Sequence, residues 1–303
     1  MKQAYVNQRF NRATLEIIDE ANEIIGDFQA QGFDLTVRQL YYQMVSKALI
    51  ENTQKSYKRL ASIISNARNA GLIDWDAIKD RTRFLRSNPH WDDPGEILHS
   101  AAMSYLEDRW RNQKYRPEVW IEKDALVGVI ERECKQWDVP FFSARGYPSQ
   151  SAMWEAGRKR LREYDYLGQQ TVIIHLGDHD PSGIDMTRDI RERLALYSGW
   201  ADFNVQRIAL SMEQIEQYDP PPNPAKITDP RAKAYIMEFG YESWELDALE
   251  PQVIIDLISR TITGLVDMQK WEEHGDTIDE HKATLQSVAD NYDEVQTFLN
   301  TLQ

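Results

Sequence analysis

Thr171-Val172-Ile173-Ile174-His175-Leu176-Gly177-Asp178-His179-Asp180-Pro181-Ser182-Gly183 is the stretch on which the reading of the fold turns. Thr171 to Leu176 is a short apolar run bounded by turn residues and reads as a buried strand. A helix follows Pro181. Gly177 and Gly183 leave the backbone room to turn between the two. Asp178 and Asp180 sit just past the strand. Alternate residues of an extended segment point the same way, so their carboxylates can share one ion. His179, between them, points to the opposite side and reads as a structural hydrogen-bonder. His175 reads as buried within the strand.

The same regime extends in both directions. Val119-Trp120-Ile121 is a short strand with Glu122 directly after it. A helix over 125–137, a strand at 139–142, a helix over 149–164 and a further strand near 205–210 complete the alternation. Strands alternating with helices predict an α/β fold with a central, mainly parallel sheet covered on both faces. In such sheets the ligand site lies outside the carboxyl ends of the strands, which is where Glu122, Asp178 and Asp180 fall. Carboxylates are hard oxygen ligands suited to Mg²⁺, which joins one or two of them to substrate phosphate and can polarise a phosphoryl oxygen. An isolated Asp-x-Asp is otherwise a turn or a cap; the strand-end Glu122 favours the metal. The run Pro220-Pro221-Pro222-Asn223-Pro224 must be a loop. Helices fill the region after 250, and the tail from 270 is acidic and helical.

Upstream, residues 8–31 carry Leu15, Ile18, Ala21 and Ile25 at helical spacing, closed by Gly32. Thr36 is an N-cap for a helix to Leu49, and a third helix covers 53–70, stopped by Gly71. Lys55, Lys58, Arg59 and Arg68 decorate that third helix, and Leu72-Ile73-Asp74-Trp75 suits a short β wing. Three helices, the last basic, then an extended segment outline a winged helix-turn-helix, which places its last helix in the major groove. The same pattern also fits a plain three-helix bundle with a basic face. Ser87 to Pro94 is turn-rich and reads as a linker, followed by a helix over 95–112. The domains expected are 1–90, a linker helix within 91–116, and 117–303.

Charge is unevenly placed. Residues 1–90 hold 13 basic and 10 acidic residues, residues 91–162 hold 12 of each, and residues 163–303 hold 10 and 27, within a net charge of −14. The acid of the C-terminal half leaves the N-terminal part free to face phosphates. Cys134 is the single cysteine, which excludes an internal disulfide and a cysteine-rich zinc site. No stretch approaches the roughly 20 apolar residues of a membrane span, and the N-terminus opens on no signal-type apolar run, so a cytoplasmic protein is expected. No Gly-x-x-x-x-Gly-Lys-Ser/Thr motif occurs, so the chain has no Walker-type ATP site.

Trp120-Ile121-Glu122-Lys123 with Asp178-His179-Asp180-Pro181-Ser182-Gly183 resembles the Toprim signature. The flavour is that of the A subunit of type IIB topoisomerases (topoisomerase VI) and the related meiotic recombination protein, in a compact bacterial or phage form. Arg145-Gly146-Tyr147-Pro148-Ser149 is similar to a Gly-x-Pro segment of that family. Arg38-Gln39-Leu40-Tyr41-Tyr42 resembles the segment of its winged-helix domain that ends in the attacking tyrosine, with Gln39 standing where the family has an acidic residue. The resemblance covers about residues 34–85 and 117–190. It implies that Tyr42 attacks DNA to give a 5′-phosphotyrosyl link and that Arg38, four residues earlier on the same helix face, acts near the scissile phosphate. Tyr41 is the neighbouring candidate. The resemblance further implies Mg²⁺ held by Glu122, Asp178 and Asp180, double-stranded DNA as partner, a homodimer in which the tyrosine of one protomer meets the metal site of the other, and a separate GHKL-type ATPase subunit as a candidate partner. Two other readings stay open: a metal-dependent nuclease with water as attacker, and a DNA-binding module without catalysis.

Overall fold

The computed structural model describes residues 1–33, 35–79 and 88–302. The chain opens on three helices, α1 (Arg12–Ala30), α2 (Val37–Ser46) and α3 (Gln54–Asn69). Each begins at a side-chain cap: Asn11, Thr36 and Thr53 accept from the backbone nitrogen three residues on. Thr36 and Gln39 form a reciprocal capping box, with the Gln39 amide oxygen 2.9 Å from the Thr36 nitrogen. Thr36→Ala is therefore expected to cost about 1 kcal/mol, read as a lower urea midpoint at unchanged slope. Ile18, Ala21, Ile25, Leu40, Met44, Leu60 and Ile64 bury the facing sides of the three helices.

After α4 (Pro94–Ser104) come β1 (Tyr115–Ile121), α5 (Val127–Gln136) and β2 (Phe141–Ser143). Then α6 (Gln150–Glu155) runs through a π-helical turn, Ala156–Leu161, into α7 (Arg162–Tyr166). β3 (Gln170–Leu176), α8 (Pro181–Ser198), β4 (Phe203–Ala209) and α9 (Met212–Tyr218) follow. A two-stranded antiparallel ribbon, β5 (Asn223–Pro224) with β6 (Glu242–Ser243), brackets α10 (Ala232–Phe239). The chain ends in α11 (Pro251–Thr263), α12 (Met268–Asp290) and α13 (Tyr292–Asn300).

The fold is α/β around a four-stranded parallel sheet in the order β2-β1-β3-β4. Trp120, Ile173 and Val205 form one buried core with Met153, Leu161, Met186, Ile190 and Leu194 of α6 through α8. Val119, Ile121, Val172 and Ile174, which alternate with them, are buried too, so both faces of the sheet are covered. Pro117 is tolerated in a central strand because pairing with β2 starts only at Val119. The order turns outward in opposite directions from β1 and β3, which makes their carboxyl ends the topological switch point.

Two compact units result, Met1–Thr82 with Pro117–Gly264, and Arg83–Arg116 with Leu265–Gln303. In the second, α4 packs on α12, Arg109 stacks 3.8 Å over the Trp271 ring, and Glu107 accepts from His281 at 2.8 Å and His274 at 3.3 Å. The stretch expected as a linker helix thus has partners of its own in the C-terminal helices. Its predicted turn-rich head, Ser87, lies outside the described residues.

Three local expectations are corrected: Asn223-Pro224, expected in a loop, pairs as β5, the helix expected to 112 ends at Ser104, and the wing at 72–75 is absent. Leu72-Ile73-Asp74-Trp75 forms bends, not a strand. The N-terminal segment occupies its backbone instead: Trp75 N donates to Met1 O at 3.1 Å, and the Met1 amine pairs with Asp74 and Asp76. Ile78 makes only an isolated bridge to Leu35. Among the described residues no helix is long and apolar enough to cross a membrane.

Candidate active site

Glu122 leaves β1 beside the end of β3, with its nitrogen donating to Leu176 O at 2.9 Å. Its Oε2 accepts from Asp178 N at 3.0 Å. Gly177 permits this approach: a Cβ there would lie 3.1 Å from Glu122 Oε2 and 3.3 Å from Arg207 Nη1. Asp180 caps α8, its Oδ1 accepting from Gly183 N at 2.6 Å and Ser182 Oγ at 2.8 Å. Gly183 is demanded by contact, since a Cβ there would stand 2.2 Å from Asp178 O. Gly183→Ala is expected to destabilise by about 3 kcal/mol, read by thermal unfolding, because the obstacle is backbone.

Asp178 is buried, and its partners differ from those of Asp180. Its Oδ2 pairs with Lys123 Nζ at 2.7 Å and its Oδ1 accepts from Leu246 N at 2.9 Å. Burial raises its carboxyl to about 8 against the pull of Lys123, with Glu122 adding to the rise. Burial also raises Glu122, opposed by the Asp178 N–H and Lys123 and reinforced by Asp180. Arg207 of β4 lies behind the site and donates to Gly183 O at 2.9 Å, Gly177 O at 3.0 Å and Asp178 O at 2.7 Å. Desolvation lowers it to about 10, opposed by Glu122, Asp178 and Asp180.

The histidines sit apart from this chemistry. His179 exchanges backbone bonds with Trp244, meets the Tyr235 hydroxyl at 2.8 Å through Nδ1 and packs on Phe239. Burial, aided by Arg207, lowers it to about 4. His175 is fully buried, its Nδ1 2.9 Å from Thr187 Oγ1, and is lowered to about 3 by the same two causes. Cys134 is buried, and burial pushes its thiol up to about 12.

Helix α2 brings Arg38 and Tyr42 to the same region. Arg38 Nε lies 3.1 Å from Asp247 Oδ2, and its Nη2 lies 2.9 Å from Glu245 Oε2 and 3.4 Å from the Tyr42 hydroxyl. Glu245 Oε2 also takes Lys123 Nζ at 2.5 Å. Burial works against charge on Lys123, but Asp178, Asp247 and Glu245 outweigh it and hold the ammonium above its usual range. Arg38 is raised in the same way by Asp247, Tyr42 and Glu245. Tyr42 is only 6% exposed, and burial raises its phenol, helped by Asp247 and Glu245 and opposed by Arg38 and Lys123. Tyr41 differs: its hydroxyl is engaged with Asn52 Oδ1 at 3.0 Å and Thr53 O at 3.1 Å.

A cleft of about 470 Å³ opens over Arg38, Tyr42, Tyr57, Lys226 and Glu245. Lys226 reaches from it to Asp180 Oδ2 at 3.9 Å. Lys55, Lys58 and Arg59 are exposed on α3, whereas Arg68 folds onto Trp75, 4.7 Å from its ring centroid, and donates to the Trp75 carbonyl. The sequence reading missed Arg207, Glu245 and Asp247 and gave Lys123 no role.

Among the described residues no group of three or more His, Cys, Asp or Glu side chains is gathered to hold a metal ion. Asp178 is committed to Lys123 and Leu246, so the three acids do not converge as a set. Glu122, just past β1, and Asp180, the N-cap of α8, remain a fitting pair: two hard oxygen donors near enough for Asp180 to raise the proton affinity of Glu122. Two protein carboxylates suffice for Mg²⁺ that shares its remaining positions with water and phosphate. Comparison with protein-family models and with curated proteins finds no match for the chain.

Proposed function

We propose that the chain is a Toprim-type, topoisomerase VI A-like enzyme that cleaves double-stranded DNA by tyrosine transesterification, with its N-terminal helices serving as a winged-helix-type DNA-binding domain. The supporting observation is that Tyr42, Arg38 and Glu245 line one cleft, and that an ion-pair network runs from Arg38 through Glu245 and Asp247 to Lys123 and Asp178 at the switch point of the sheet. Phosphoryl transfer asks little covalent chemistry of a protein beyond a nucleophile, positioning and charge. Tyr42 Oη attacks phosphorus, the bond to the 3′ oxygen breaks, the phenol proton departs, and the 3′ oxygen gains a proton. The product is a 5′-phosphotyrosyl end beside a 3′ hydroxyl. Arg38 holds the phosphate oxygens as negative charge builds. Mg²⁺ held by Glu122 and Asp180, with Asp178 behind them, would neutralise phosphate charge. Lys55, Lys58 and Arg59 hold the backbone, which makes binding salt-sensitive. A homodimer and a GHKL-type ATPase subunit belong to the same reading.

The test is supercoiled plasmid with Mg²⁺ and purified protein, stopped with detergent and divided with and without protease. Protein-linked nicked or linear DNA, lost in Asp180→Asn, is expected. A second reading, water as attacker, is favoured by the burial and raised proton affinity of Tyr42. It gives protein-free ends that still require Asp180. Binding without any cut would leave only a DNA-binding module.

A further inference from the structure

Asp247 is the group this chemistry has not yet used. Its side chain has no exposed surface. One oxygen, Oδ2, meets Arg38 Nε at 3.1 Å. The other, Oδ1, has no hydrogen-bond partner on another residue among the described residues and lies 4.0 Å from Lys123 Nζ. A carboxylate buried with half its acceptor capacity unmet costs stability that an apolar residue would not. What Asp247 holds is the orientation of a half-exposed arginine. Arg38 meets Asp247 at Nε and offers Nη2 to Tyr42 and Glu245, so two adjacent nitrogens of the planar guanidinium serve three groups. The short turn Leu246–Ala248 that carries Asp247 also gives Leu246 N to Asp178 Oδ1. One turn thus links the acids past β3 to the tyrosine on α2. We propose that Asp247 is a positioning residue, fixing the Arg38 guanidinium against the Tyr42 hydroxyl so that tyrosine and scissile phosphate meet in a single geometry.

The inference rests on the transesterase reading. The charged and titratable groups around the Tyr42 hydroxyl are Arg38, Lys123, Glu245 and Asp247, with the Tyr41 ring packed 5.1 Å from its own. The experiment measures single-turnover adduct formation and DNA affinity separately for the unmodified protein, Asp247→Asn, Arg38→Ala and the double variant. Asp247→Asn is expected to slow adduct formation roughly 10- to 100-fold, as misplacement of a reacting group does, with affinity within about twofold. It should add nothing further in the Arg38→Ala background, since a residue acting through another couples to it. A wild-type rate in Asp247→Asn, or the same loss repeated on top of Arg38→Ala, overturns the proposal. Should Asp247→Asn fail to fold, Arg38→Lys keeps the charge and loses the Nε edge. Slow adduct formation there supports the proposal and a wild-type rate overturns it. If the unmodified protein forms no adduct, the transesterase reading has failed by itself. The proton on Arg38 Nε, observed by NMR in DNA-free protein and assigned by its loss in Arg38→Ala, then decides: its disappearance in Asp247→Asn supports the positioning role, and its persistence overturns it.

Discussion

Tyr42→Phe is expected to abolish protein-linked DNA while leaving the protein folded. The ring keeps its edge contact with Tyr41, 5.1 Å between centroids, and its buried place on α2. Only the hydroxyl is lost, whose one hydrogen bond among the described residues is the long contact from Arg38 at 3.4 Å. A hydrogen bond of that kind is worth about 1 kcal/mol or less, so the melting temperature should move little. Adducts should fall at least about a thousandfold, because removing a nucleophile removes the covalent path. Tyr41→Phe gives the opposite pattern. It breaks the contacts to Asn52 and Thr53, so it should lower stability by about 1 kcal/mol and keep the adducts. Cleavage that survives Tyr42→Phe and leaves protein-free ends would make water the attacker.

What the sequence revealed and what it hid have different physical origins. β1, β3 and the helix after Pro181 follow from local signals: short apolar runs, a proline tolerated in a helix's first turn, and glycines where backbone meets carboxylate or carbonyl. The neighbourhood of Glu122 and Gly177-Asp178 follows from topology, since adjacent parallel strands present adjacent carboxyl ends. Side-chain direction was not readable. Alternation places Asp178 and Asp180 on one side of an ideal strand, but the chain turns into α8 there, so Asp180 faces its cap and Asp178 faces Lys123. The wing at 72–75 failed because no local pattern announces that the N-terminus will occupy that backbone. Glu245 and Asp247 lie about 120 residues beyond Lys123, in a region so acidic that two more carboxylates carry no signal. Only the packing of the Leu246–Ala248 turn against α2 singles them out. Gln39 was legible in hindsight, because glutamine at the third helical position completes a capping box as an acid would.

Mixing two inactive variants, Tyr42→Phe and Glu122→Gln, is expected to restore no adducts. Within one chain Arg38 pairs with Glu245 and Asp247, Lys123 pairs with Glu245 and Asp178, and Tyr42 hangs from Arg38. That network joins the tyrosine helix to Asp178 within one chain and favours a site complete in each copy, whereas the resemblance to topoisomerase VI implies exchange between protomers. If each chain carries a whole site, every mixed dimer holds two half-dead sites, and adducts stay at the level of the separate variants. If the sites are exchanged, a mixed dimer pairs the intact Tyr42 of one copy with the intact Glu122 of the other. About half of the dimers in an equal, fully exchanged mixture are mixed, and each recovers one of its two sites. The readout would then return to roughly a quarter of the unmodified level, by the symmetry of a two-fold dimer. The difference between background and that recovery is large enough to read on one gel.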